Sequence, residues 1–201
     1  MNKRLSFADM LDHHPGQSAA VLAGKALHQA CALMQADGGV LYLLRHDKEE
    51  SSLIRAASWP ETSEVEDIIP IDHPSMSTIV AQTGSTLKFD DAAASEAIAL
   101  IDRATDFPAD MEPGAIAAFA LTNHAKDVVG VVTLSNDVSS GRAFAQESLE
   151  LFARFNRLAG AAVERADLLE RIGQIRFDPT ERNNRLRQQV EKLAFIEDIE
   201  G

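Results

Sequence analysis

Cysteine, tyrosine and tryptophan each occur once in these 201 residues, as Cys31, Tyr42 and Trp59. A single thiol excludes an intramolecular disulfide and any zinc site built on two or more thiolates. Long apolar runs are missing too: no stretch approaches the roughly 18 consecutive apolar residues of a membrane span. The N-terminal Met-Asn-Lys-Arg-Leu-Ser is basic, but Asp9 and Asp12 follow where a signal peptide needs an apolar region. The expectation is a cytoplasmic protein of a reducing compartment. Positive charge is scarce, 19 Lys and Arg against 31 Asp and Glu for a net of −12, which argues against a nucleic-acid groove because phosphate contacts need a basic face. The chain has no Gly-x-Ser-x-Gly, no P-loop and no dinucleotide fingerprint. No two histidines show metal-site spacing apart from the adjacent pair His13-His14. The sequence therefore names no catalytic residue and no metal ligand.

What is present suffices for a packed core, with 45% hydrophobic residues. Residues 1–16 read as a leader closed by Pro15-Gly16, residues 17–172 as one domain, and 173–201 as a helical extension or linker restarting at Asp178-Pro179. Leu22, Ala26, Ala30 and Leu33 give residues 17–36 a helical period, with Asp37-Gly38-Gly39 as its stop. Residues 40–45 and 52–59 form a hairpin, and residues 67–71, interrupted by Pro70, a strand at an edge. A short helix at 74–82 ends at Gly84, a strand at 86–89 follows, and Asp90-Asp91 cap an alanine-rich helix over 92–103. Residues 116–122 and 128–135 make a second hairpin. A long helix follows Phe144. The order predicts an α+β fold in which an antiparallel sheet carries its N- and C-terminal helices on one face, with the helices and loops of 72–114 as a lid on the other.

Several segments in this order resemble the GAF domain family. Met34-Gln35-Ala36-Asp37-Gly38-Gly39-Val40-Leu41-Tyr42-Leu43 is similar to the family's join of first helix and first strand. Residues 79–91, Ile-Val-Ala-Gln-Thr-Gly-Ser-Thr-Leu-Lys-Phe-Asp-Asp, resemble its middle helix, glycine stop, strand and acidic turn. Phe119-Ala120-Leu121-Thr122 with residues 128–134 resembles its final hairpin, and the resemblance covers roughly residues 18–172. It implies a non-catalytic sensory or regulatory domain of bacterial-type signal transduction, dimeric, with a small-molecule site between sheet and lid. The family's cyclic-nucleotide members carry a spaced Asn-Lys…Phe…Asp-Glu signature. Here Asn136 and Phe144 match, whereas Asp137 and Ser148-Leu149 do not. Cys31, on the first helix, is out of place for bilin attachment, and only His73 is positioned for a haem, so no cofactor is named.

Alternation along the strands and the content of the lid nominate Tyr42, Arg55, Trp59, Met76, Phe89, Asp102, Phe107, Phe119 and Thr133 as ligand-site residues, with Arg55 as an anion anchor or a solvent-seeking edge charge. The long helix carries a seam of Phe152, Phe155, Ala159, Ala162, Ala166 and Leu169, read as a homodimer interface. Residues 47–112 hold four basic and fifteen acidic groups, a net of −11, so the ligand expected there is neutral or cationic. The downstream partner would be a signalling domain or a separate protein. The competing readings are a structural dimerisation scaffold that binds nothing and, from the resemblance, a cyclic-nucleotide-binding regulatory domain.

Overall fold

A computed structural model describes residues 18–47, 50–61, 67–93, 99–108 and 111–177. The expected leader, the restart at Asp178-Pro179 and the core of the alanine-rich helix, residues 94–98, lie outside the described residues. Compactness divides the chain into units 1–166 and 167–201.

The first helix, α1 (Ala19–Met34), starts where Ser18 accepts the Val21 N–H on its hydroxyl. It buries Leu22, Ala23, Ala26, Leu27, Ala30, Cys31 and Met34, one face of a 3.6-residue period. It ends at Met34, not at the expected glycines: Gln35 caps it in the left-handed conformation, φ 53°, and its N–H reaches back to the helix carbonyls. Gly38 and Gly39 lie instead inside β1 (Gly38–His46), because a side chain at Gly38 would stand 2.6 Å from Met111 Cε and 2.7 Å from Trp59 O.

Strand β2 (Ser51–Trp59) pairs antiparallel with β1 and carries an irregularity opposite Leu41/Tyr42. The edge strand β3 (Ile68–Pro70) follows, then α2 (Met76–Thr83), closed by Ser75 and Thr78 in a reciprocal capping box and by Gly84 at φ 67°. The remaining strands are β4 (Leu87–Phe89), β5 (Pro113–Thr122) and β6 (Val128–Asp137), and α3 (Gln146–Phe177) completes the order. The six strands form one antiparallel sheet in the order β3-β2-β1-β6-β5-β4.

Register sorts the side chains. Val40, Thr133 and Ala118 stand side by side, as do Tyr42, Val131 and Ala120, while the intervening row holds Leu41, Val132 and Phe119. Successive rows point to opposite faces. The Leu41 row joins α1 and α3 in one apolar cluster that includes Leu27, Met34, Phe152, Phe155, Ala159, Val163 and Ala166. The Val40 and Tyr42 rows join Met76, Val80 and Phe107 of the lid. Both terminal helices lie on one face and the lid on the other.

Two readings change here. The expected helix at 92–103 is turn and irregular chain where it is described. Aspartates compete for its backbone: Asp91 accepts from Ala93 N, Asp102 from Ala104 N, and Asp106 from Asp102 N. The expected dimer seam is internal. Phe152 and Ala159 are completely covered and Phe155 and Ala166 nearly so, within this one chain. Ala162 is partly buried against the same cluster. Phe152 tilts against Phe119 at 4.4 Å between ring centroids and against Phe155 at 5.7 Å. A helix packed on a sheet spends its apolar stripe on that sheet. Of the six seam residues only Leu169, in the second unit, is exposed, and Leu151 and Leu158 project outward from α3 in the first.

Helix α3 also finishes the sheet. Strand β4 covers β5 only at 116–118. Beyond it, Asn156 Nδ2 donates to Ala120 O, and Gly160 lets the helix lie on the strand end, since a Cβ there would stand 2.5 Å from Thr122 O.

Candidate functional site

The parts of the lid are tied to one another through a buried aspartate. Asp106 is completely buried. Its carboxylate accepts four hydrogen bonds, from Met76 N at 3.0 Å, Ser77 N at 2.9 Å, Ser77 Oγ at 2.6 Å and Asp102 N at 2.8 Å. Two of those donors are the first N–H groups of α2, which have no partner inside the helix. Asp106 thus joins the start of α2 to the 99–108 loop from 29 and 30 residues away. Burial pushes its carboxyl above the ordinary aspartate value, opposed by the hydrogen bonds from Ser77, Asp102 and Met76.

Asp102, one helical turn earlier in sequence, meets His73 at 2.6 Å between Oδ2 and Nε2 at the lid surface. Burial alone would raise the Asp102 carboxyl. The bond with His73 and the Ala104 N–H outweigh it and hold the group below its usual range. The loop closes on the sheet through Tyr42, whose hydroxyl donates to Thr105 O at 2.9 Å. Farther along the same face Ser135 Oγ donates to Met111 Sδ at 2.9 Å, and Thr133 Oγ1 lies 3.4 Å from Val40 O.

The nominated residues separate by register. Tyr42, Met76, Phe107 and Thr133 are buried together under the lid, with Phe89 packed at the margin and Asp102 at its surface. Phe119 belongs to the helical face, because its row is that of Leu41 and not that of Thr133. Trp59 sits opposite Gly39, whose neighbours are Leu134 and Leu27 of the helical face. It is 44% exposed and stacks on His28 of α1 at 4.9 Å. Arg55 turns to the sheet edge, where Nε donates to Asp67 Oδ1 at 2.8 Å and a second guanidinium nitrogen meets the same oxygen. Its charge is matched there, which removes the anion anchor from the compartment. Asp106, Ser77 and Thr105 went unnoticed in the sequence. Two aspartates four residues apart were the single trace of them.

Two hydroxyls meet basic groups: Ser77 Oγ on Asp106 in the covered lid, and Ser51 Oγ 2.8 Å from His46 Nδ1 at the exposed end of the β1–β2 hairpin. Cys31 lies in the helical layer, where burial pushes the thiol up to about 12, far from thiolate reactivity. Among the described residues no group of three His, Cys, Asp or Glu is disposed to hold a metal ion, and no helix is long and apolar enough to cross a membrane. The arrangement is suited to holding a small molecule or a conformation.

Comparison with known proteins gives a consistent picture. The family model of the GAF domain matches residues 19–163. No curated protein matches the sequence. Among solved structures, the chain is similar to the GAF domain of an Acinetobacter phosphoenolpyruvate-protein phosphotransferase, with TM-score 0.61 and 14% identity over 80% of this chain and 89% of that one. It is similar also to the GAF-B domain of DevS from Mycobacterium smegmatis, with TM-score 0.56 and 18% identity over 77% and 99%. Residues 122 to 287 of a methyl-accepting chemotaxis protein give TM-score 0.60 and 15% identity over 82% and 98%. At these identities the likeness is one of fold.

Proposed function

Because this chain belongs to the GAF domain family, we propose that it is a non-catalytic regulatory module of cytoplasmic signal transduction whose lid compartment responds to a small neutral or cationic ligand. The observation that carries this reading is where the buried polar groups lie. Ser77, Thr105, Asp106, Thr133 and Ser135 are all covered on the lid side of the sheet, whereas the large cluster on the opposite face is apolar, with Asn136 as a covered polar group at the end of β6. A fold that needed its lid only for stability would gain more from apolar side chains there. Hydrogen-bonded contacts offer instead a layer whose partners a ligand can exchange. Tyr42, Met76, Asp102, Phe107 and Thr133 are the residues such a ligand would meet. The charge of residues 47–112 favours one that is not an anion. The ligand would shift signalling by favouring one arrangement of α2 and the 99–108 loop over another. Similar domains in a chemotaxis protein and a phosphotransferase support the regulatory reading.

The module acts as a homodimer in this proposal, through the outward leucines of α3 and not through the seam spent on the sheet. A scaffold that binds nothing is the second reading, favoured by Tyr42, Met76 and Ile116, which fill the lid layer without exposure.

Native mass spectrometry with an absorption scan of freshly purified protein separates the two. A co-purifying mass, or a thermal shift against neutral and cationic metabolites that Asp106→Asn abolishes, supports the sensor. A clean dimer without either favours the scaffold. Leu151→Glu with Leu158→Glu is expected to give a monomer by sedimentation, and a dimer that survives both would remove α3 from the interface.

A further inference from the structure

The helical face has an opening of its own. Between α1 and the end of β2 lies a cleft of about 560 Å³, within the span of about 300–1,000 Å³ typical of small-molecule sites. It is on the opposite side of the sheet from the lid and does not depend on the regulatory reading above.

Three features of the cleft have no explanation in the packing of the chain. Gly24 occupies the middle of α1, where glycine weakens a helix relative to alanine. A Cβ at Gly24 would meet nothing within 4 Å among the described residues, so none of them requires its absence. Together with Ala56 and Ala57 it makes a floor of minimal side chains. The wall is Trp59, the chain's single tryptophan, 44% exposed and held in orientation by its stack on His28. An indole that serves the core would be covered. One fixed upright beside an open floor presents a flat π surface to whatever lies there. The far end is charged. Arg55 and Asp67 pair with each other, and Glu61 adds a further carboxylate, so carboxylates outnumber guanidinium among the described lining residues.

From this geometry we infer that the α1–β2 cleft is a binding site for a flat aromatic cation, such as an aryl amidine or an arylalkyl ammonium. The ring would lie on the Gly24–Ala56–Ala57 floor against Trp59, and the cationic group would point to Glu61. An aromatic carboxylate would meet the same floor and a repelling end. The indole face adds attraction for a cation that a neutral ring lacks.

Since Trp59 is the chain's one tryptophan, its emission reports on this cleft directly. The full chain is titrated with benzamidine and, in parallel, with its near-isosteres benzamide and benzoate. Benzamidine is expected to give a saturable change in Trp59 emission, benzamide a response about threefold or more weaker, and benzoate none. Gly24→Leu, which fills the floor with a good helix former, is expected to weaken benzamidine about tenfold or more while leaving the melting temperature unchanged or higher. Ala20→Leu, at an exposed lining position of the same helix, gives the same readout should Gly24→Leu fold poorly. Glu61→Gln is expected to lower benzamidine to the level of benzamide. No saturable response to benzamidine, benzoate binding as tightly as benzamidine, or a filled floor that still binds with parental affinity would each overturn the assignment.

Discussion

The two faces of one sheet are built on different physics. On the helical side Leu41, Leu43, Phe119, Val132 and Leu134 meet Leu27, Met34, Phe152 and Phe155 in one large apolar cluster. On the lid side a smaller apolar cluster shares its space with a buried carboxylate and several hydroxyls. Apolar burial is non-directional and tolerates small shifts, whereas a four-donor carboxylate specifies one geometry and loses much of its value when that geometry changes. The helical face is suited to fixing the fold. The lid is suited to holding one specific arrangement.

Mutations test the division, and the largest effect belongs to the helical side. Phe152→Ala removes a ring that is completely covered and is expected to cost about 3–5 kcal/mol in denaturant unfolding, with all probes losing structure together. A loss confined to the lid would break the comparison. Asp106→Asn comes next. The amide offers N–H groups where Met76 or Asp102 N–H needs an acceptor, and the expected cost is about 2–3 kcal/mol. Hydrogen exchange is expected to rise first in α2 and the 99–108 loop while β1 and β6 stay protected.

Two glycines of the helical side sharpen the contrast further, since replacement by alanine gives each the same gain in helix propensity. Gly160→Ala drives a methyl into Thr122 O and is expected to destabilise by about 1–3 kcal/mol. Gly24→Ala meets open space and is expected to stabilise by about 0.5–1 kcal/mol. Thermal melts of the pair should therefore move in opposite directions.

The smallest effect is a pH dependence of the lid. Asp102 is held below its ordinary value, so its contribution is present above the unfolded value, near about 3.9, and is lost as pH falls through the lowered folded value. The stability gap between the parent and Asp102→Asn should close on acidification. Asp106 has the opposite sign. Its folded value is raised, so stability falls as pH rises from the unfolded value through the folded one. The gap between the parent and Asp106→Asn should narrow as pH rises above the unfolded aspartate value. Denaturant titrations at several pH values separate the two slopes.

Much of the fold is legible in the residues. The period of α1, both hairpins, the capping of α2 and the edge position of Pro70 follow from local rules, and each matches an observed element. The sorting of sites is less so, because it depends on register. Phe119 and Thr133 both look inward from their own strands, and only the pairing of Thr133 with Ala118 puts them on opposite faces. The irregularity between β1 and β2 has the same effect on Trp59 and Arg55. The seam of α3 was correctly apolar, yet periodicity says that a stripe is covered and is silent about what covers it. Asp106 was invisible for a related reason. Nothing in Thr-Asp-Phe-Pro distinguishes a solvated turn from a carboxylate that takes two N–H groups of a helix 29 and 30 residues earlier.

The end of β5 leads somewhere different. Sheets with uncovered margins recruit strands from neighbouring molecules, and β4, three residues long, shields only part of this one. At residues 120–122 the shield is α3 itself, through Asn156 and the bare backbone of Gly160. In the regulatory reading proposed above, the helix that would transmit a signal therefore also covers a strand end open to pairing. Any motion of α3 large enough to lift Asn156 from Ala120 would trade a regulatory event for an exposed strand, which sets a limit on how far that helix can travel.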